Sequence, residues 1–249
     1  MSDFNRGYAR TIPVDRADMS VDAGLRSFML GVYNKLALGL LLSAVLAWLT
    51  ADFAPVQQLL YVVSPEGRLV GFTALGTVIR FVPLAVILGA MFMRNPSPSA
   101  ANGLYWALVA SIGAGLGVWL LAYTGSSVAL TFLITASAFG VLSLFGYTTK
   151  KDLTGFGSFL IMGLWGLVIA SLVSLFWHPA GFSFIISALG VLIFSGLIAY
   201  DTQRLKMTYY ALGGDTAAMG VATSYGALNL YLNFINLFQF LLQFTGSRR

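Results

Sequence analysis

A chain of 249 residues that is 58% hydrophobic and only 9% charged cannot clothe a soluble core, since soluble domains carry roughly 25% charged residues. The absence of cysteine excludes a disulfide framework, a thiolate nucleophile and Cys-ligated zinc or iron–sulfur sites. The net charge of +5 reads as the basic cytoplasmic loops of a membrane protein, not as nucleic-acid binding, because no basic stripe interleaved with exposed aromatics is present.

In chain order, residues 1–27 read as a polar, partly disordered cytoplasmic tail, with Arg6, Arg10, Arg16 and Arg26 among Asp15, Asp18 and Asp22. This is not a secretory signal, because the apolar run that follows starts late and lasts a full span. A spanning helix needs about 20 mostly apolar residues. Seven stretches meet or approach that length: 28–49, 76–93, 103–123, 128–147, 156–177, 182–201 and 225–244. They end in turn signals such as Asn95-Pro96-Ser97-Pro98, Thr124-Gly125-Ser126-Ser127 and His178-Pro179. Period-two alternation is absent, so helices and not a barrel satisfy the backbone in lipid. The expectation is an all-α membrane protein: a seven-helix transmembrane domain over 28–246, then a short basic tail at 247–249.

Loop charges give a direction. Nine basic residues (the four tail arginines, Arg94, Lys150, Lys151, Arg204 and Lys206) fall on one side, against Arg68, Arg80, Arg248 and Arg249 on the other. The positive-inside rule then puts the N-terminus in the cytoplasm and the C-terminus outside, unless the seventh helix is re-entrant. Gly113, Gly115 and Gly117 in the third stretch, with Gly155, Gly157, Gly163 and Gly166 in and before the fifth, read as close helix–helix packing. A dinucleotide fingerprint would need a preceding strand. No internal repeat supports an inverted-repeat transporter.

Ionisable groups inside a span are expensive and therefore informative. Lys35 reads as a snorkelling residue that reaches the headgroups, and Arg80 as interfacial. Asp201 ends the sixth stretch and Arg94 the second, on the same side. They pair if those helices are neighbours, or each faces cytoplasmic water. The seventh stretch carries Asn229, Asn233, Asn236, Gln239 and Gln243, which fall within an arc of about 120° at about 100° per residue. Such a stripe faces other helices, as interhelical hydrogen bonds, or lines a water-filled ion path. His178 is the single histidine and has no second ligand beside it. No metal site, cofactor or enzyme activity is expected.

Three segments resemble a known family. They are Phe139-Gly140-Val141-Leu142-Ser143-Leu144-Phe145-Gly146-Tyr147 with the link to Leu153, Ala199-Tyr200-Asp201-Thr202-Gln203-Arg204-Leu205-Lys206, and Gly226-Ala227-Leu228-Asn229-Leu230-Tyr231-Leu232-Asn233-Phe234 through Phe238. Together they resemble the Bax-inhibitor (TMBIM) family in its bacterial YccA-like branch, over about residues 28–246. The resemblance implies six helices surrounding a central C-terminal helix in the bacterial inner membrane. It also implies a pH-sensitive calcium (Ca2+) leak, with two aspartates as sensor and an arginine latch. Asp201 matches one aspartate and Arg94 stands at the latch position, but Asn233 stands where the second aspartate is expected. Two close carboxylates titrate as a pair, and Asn233 cannot titrate. It can still donate an N–H to Asp201, so the resemblance implies an altered pH response and a weaker attraction for a divalent cation. The alternative it implies is a non-conducting protein that modulates, or is a substrate of, a membrane-bound ATP-dependent protease, with the polar tail as the handle.

Overall fold

A computed structural model describes residues 23–65, 68–93, 95–174, 176–177 and 181–248. Its helices are α1 (Ala23–Asp52), α2 (Ala54–Leu60), α3 (Ala74–Met91), α4 (Pro98–Ala122), α5 (Gly125–Thr148), α6 (Thr154–Val173), α7 (Phe182–Ala211) and α8 (Thr216–Thr245). Strands β1 (Tyr61–Val63) and β2 (Leu69–Phe72) form an antiparallel hairpin between α2 and α3. No regular structure was expected in that connection.

Five helices, α1, α4, α5, α6 and α7, are long and apolar enough to cross a membrane, so the protein is a multi-pass membrane protein. Leu41, Leu133, Val141, Trp165 and Leu192 are each more than half exposed on the outside of the bundle. An apolar belt of this kind is covered by lipid. The remaining two predicted spans differ in kind. α3 has 18 residues and contains Pro83. α8 has 30 residues, but its amides dilute its hydropathy.

Four element bounds depart from the sequence reading by five residues or more, and α4, which begins at Pro98 ahead of the expected 103, is capped by Ser97. α1 begins at Ala23, so residues 23–27 of the expected tail are helical. α7 continues ten residues past Asp201 to Ala211, or about 15 Å at 1.5 Å per residue. α8 begins at Thr216, ahead of the expected 225. Hydropathy measures preference for lipid, whereas helix formation continues wherever one face is buried and the ends are capped. The cap of α8 is Asp215, whose carboxylate accepts from the N–H groups of Ala217 and Ala218. The turn before it uses Gly213 and Gly214 at φ 58° and 88°, a left-handed region that glycine enters without a Cβ clash.

The chain starts α1 at one end of the bundle, here called the N-terminal end, where Phe28 packs on Tyr209 of α7. α8 starts at that end, with Gly220 against Pro98 at the start of α4. It finishes beside the far end of α4, where Thr124 N–H donates to the Ser247 carbonyl at 3.0 Å and the Arg248 guanidinium lies over the Tyr123 ring. α8 therefore runs the full length of α4 and does not fold back. It packs against α1, α4, α5 and α7, whereas α6 packs on α7, and α3 on α4 and α2. Leu230, Tyr231 and Leu242 of α8 have no exposed surface.

The glycines divide by what they face. A Cβ on Gly113 would meet the Ser43 backbone at 2.7 Å, one on Gly117 would meet Thr50, one on Gly157 would meet Tyr200, and one on Gly163 would press on Ile193. These four are close-packing positions. Gly115, Gly155 and Gly166 have nothing within 4 Å and do not serve the packing role expected of them. Gly146 does, because its Cβ would strike the Ala199 carbonyl of α7.

Candidate functional site

The centre of interest is α7 from Asp201 to Lys206, a stretch that joins four other parts of the chain. Ile198, Thr202 and Leu205 keep one face of α7 buried, and the polar residues on the neighbouring faces are matched one by one. Thr202 Oγ1 lies 3.2 Å from Ser143 Oγ of α5, and Ser143 is in turn hydrogen-bonded to Tyr33 of α1. Gln203 Nε2 donates to the Lys151 carbonyl and its Oε1 accepts from the Leu153 N–H, both at 2.8 Å. The Lys206 ammonium donates to the Tyr147 carbonyl at 2.6 Å and sits 4.8 Å from that ring's centroid.

Asp201 faces α8. Asn233 Nδ2 donates to Asp201 Oδ2 at 2.7 Å, and Asn233 is buried. The structure thus brings together Asp201 and Asn233, two of the three residues named for the sensor and its latch. The third, Arg94, lies outside the described residues. So do residues 1–22, where a protease partner was expected to bind.

Beside this pair is a cavity of about 760 Å³ between α6, α7 and α8. One wall is polar: Asp201, Arg204, Asn229, Asn233 and Asn236. The opposite wall is the apolar face of α6, including Trp165. Asn236 Nδ2 donates to the Leu232 carbonyl at 2.7 Å, and its own carbonyl oxygen has no described protein partner. Among the described residues, no group of three His, Cys, Asp or Glu side chains could hold a metal ion. The wall offers a passing cation one carboxylate and amide oxygens. That is far short of the six to eight oxygens of a calcium-binding cage.

The amide stripe is divided. Asn229, Asn233 and Asn236 line the cavity beside Asp201, while Gln239 lines a separate one between α3 and α4. Gln243 is exposed near the C-terminal end and lines neither. Gln239 stands at the edge of the 120° arc, which suffices to turn it to a different neighbour.

Lys35 makes contacts that its place in the sequence did not show. Its ammonium donates to Ser224 Oγ of α8 at 2.7 Å and lies 5.2 Å from the Tyr105 ring centroid. The side chain thus has a partner on α8 within the bundle. Tyr105 closes the arrangement by donating to the Lys35 carbonyl at 2.6 Å. Gln203 and Lys206 were missed as structural residues, and Lys206 was counted as a loop charge. Their positions relative to Ala199 and Thr202 continue the buried face of α7 at helical spacing, and that was the available signal.

The family described as "Inhibitor of apoptosis-promoting Bax1" matches residues 25–249. A protein of Caulobacter vibrioides is 66% identical over the whole of both chains. A protein of Rickettsia prowazekii is 42% identical, over 97% of this chain and 98% of its own. The inner membrane protein YbhL of Escherichia coli is 40% identical, over 91% of this chain and 94% of its own.

Proposed function

This chain belongs to the Bax-inhibitor family, and on that premise we propose that it is a passive calcium leak of the bacterial inner membrane, gated at Asp201. The observation that carries the reading is the Asn233–Asp201 hydrogen bond of 2.7 Å at the wall of a 760 Å³ cavity. An ionisable group inside a membrane bundle marks an ion or proton path more often than it serves stability. Asp201 is the one carboxylate on that wall. With its charge it attracts a cation, and with a proton it does not, so flux follows pH. Asn233 holds the carboxylate by an N–H at every pH, because an amide does not titrate in this range.

The arrangement proposed is seven spans with α8 central, the N-terminus in the cytoplasm and the C-terminus outside. Supporting it, α8 packs on four of the other helices and runs the whole length of α4. Loop charge supports the direction, and the inner membrane location follows the name of the Escherichia coli relative. The reading is of a non-enzymatic protein: a lone carboxylate hydrogen-bonded to an amide lacks the nucleophile–base pairing of hydrolases.

The test is calcium flux into dye-loaded liposomes containing the full chain. Asp201→Asn keeps the shape, removes the charge, and is expected to reduce flux and flatten its pH dependence. Equal flux and an unchanged pH profile in the variant would overturn the reading.

A further inference from the structure

A second cavity, of about 500 Å³, lies toward the C-terminal end of the bundle between the β1–β2 hairpin, α3 and α4. That volume falls in the roughly 300–1,000 Å³ range of small-molecule pockets. Its walls are apolar almost throughout, with Ile79, Ile112 and Trp119 representative. Of the polar side chains that line it, the Tyr61 and Ser111 hydroxyls donate to the Ala114 and Leu108 carbonyls, which leaves two heads: Arg80 of α3 and Gln239 of α8. Neither forms a side-chain hydrogen bond or ion pair with another described residue.

The Arg80 guanidinium lies 4.8 Å from the centroid of the Phe72 ring. A ring contact of this kind uses none of the guanidinium N–H groups, and arginine N–H groups bind phosphate in a fork. Arg80 is exposed, so its charge is open to an anionic headgroup beside the bundle. Arg80 and Gln239 are each six residues in from the helix end at this side of the bundle, or about 9 Å, so they share one level. Below them α4 supplies an open floor. Gly115 lines the cavity, and a Cβ there would meet nothing within 4 Å, although its neighbours Gly113 and Gly117 are pressed against α1.

We propose that this cavity binds one anionic phospholipid of the adjoining leaflet. The phosphate sits on the N–H edge of Arg80, and an acyl chain lies along α4 over Gly115. The charge selects the headgroup and the apolar walls accept the chain. A phospholipid is chosen over a free fatty acid because the bilayer at that level supplies it at the highest concentration. The site is separate from the Asp201 cavity and does not depend on the flux reading.

The test is native mass spectrometry of the full chain in detergent, with phosphatidylglycerol and phosphatidylcholine of matched acyl chains. The wild type is expected to retain one phosphatidylglycerol with about a fivefold preference, the effect of one arginine near an anionic lipid. Arg80→Gln is expected to abolish the preference. Gly115→Leu, which fills the floor, is expected to abolish retention of both lipids. Gly140→Ala, a glycine with nothing within 4 Å and outside the cavity, is expected to leave both unchanged. Thermal unfolding of the lipid-free variants checks their folding, and Arg80→Lys, which keeps the charge, is expected to keep a reduced preference. Equal retention of the two lipids by the wild type, a preference that survives Arg80→Gln, or retention by Gly115→Leu would each overturn the proposal. So would complete displacement of phosphatidylglycerol by equimolar oleate, which would assign the site to a fatty acid.

Discussion

Asn233 donates its side-chain N–H to the carboxylate of Asp201, and the 2.7 Å bond is the polar contact that joins α8 to α7 beside the 760 Å³ cavity. Replacing Asn233 by Asp puts a second carboxylate in contact with the first, and two such groups share a proton and titrate together. Asn233→Asp is therefore expected to show greater calcium flux at high pH and a steeper loss as pH falls. Dye-loaded liposomes over a pH series read both, and identical curves for the two proteins would count against it.

The same bond has a structural side. Asn233→Leu removes the donor and leaves the carboxylate without it, at a cost of about 1.5–3 kcal/mol for a hydrogen bond to a charged group. The measurement is equilibrium unfolding in mixed micelles. An unchanged midpoint would mean that water replaces the amide at no loss.

Gln203 holds the α5–α6 link by both ends of its amide, to Lys151 and Leu153. Gln203→Ala is expected to release residues 151–153 with a loss of about 1–3 kcal/mol, because Gln203 is buried and its partners lose their bonds. Hydrogen exchange at the Leu153 amide is expected to rise. Protection equal to wild type would show that the link is held by something else.

Glycine substitutions separate packing from propensity. Gly146→Ala drives a Cβ into the Ala199 carbonyl and is expected to cost about 1–3 kcal/mol as α5 and α7 move apart. Gly166→Ala meets nothing within 4 Å and is expected to be neutral or stabilising by up to about 1 kcal/mol, the helix-propensity gain. Thermal unfolding of the pair in one detergent decides it, and the reverse order would contradict the packing described.

Asp152 stands in the exposed α5–α6 link. Its Oδ1 accepts from the Thr154 N–H at 2.8 Å, and hydrogen bonds from Thr154 hold its carboxyl below the usual value of 3.8. A depressed carboxylate stabilises the fold above its unfolded value, and that contribution is lost as pH falls through the lower folded one. The start of α6 is accordingly expected to be intact at neutral pH and to fray only below about pH 4, with Asp152→Ala fraying at every pH. Carbon-13 titration of the Asp152 carboxyl tests the sign. A midpoint above 3.8 would contradict it.

Much of the site could be read in the sequence. Asp201 and Asn233 stand out because a carboxylate and an amide are conspicuous within apolar stretches, where each polar group needs a partner. The amides of α8 also fall on one arc by helical geometry alone. Their division between two cavities could not be read, because it depends on which helix stands opposite each degree of that arc. Gln203 and Lys206 were hidden for a related reason: in a run richer in polar residues, hydropathy falls while helix and burial continue. The Lys35 contact was hidden because nothing in its own helix shows that Ser224, 189 positions away, stands within reach.

Composition and apolar run length suffice for a helical membrane protein, since scarce charges and long apolar stretches leave no other way to satisfy backbone and surface. The sequence also shows an amide, Asn233, at the position where the family resemblance implies a second carboxylate. The tertiary structure alone decided that Asn233 and Asp201 meet, that α8 runs the length of α4, and that Arg80 opens onto an apolar cavity. Those are distances between residues far apart in the chain. They are set by how small residues such as Gly113 and Gly146 let particular helices approach, and no periodicity within a single segment encodes them.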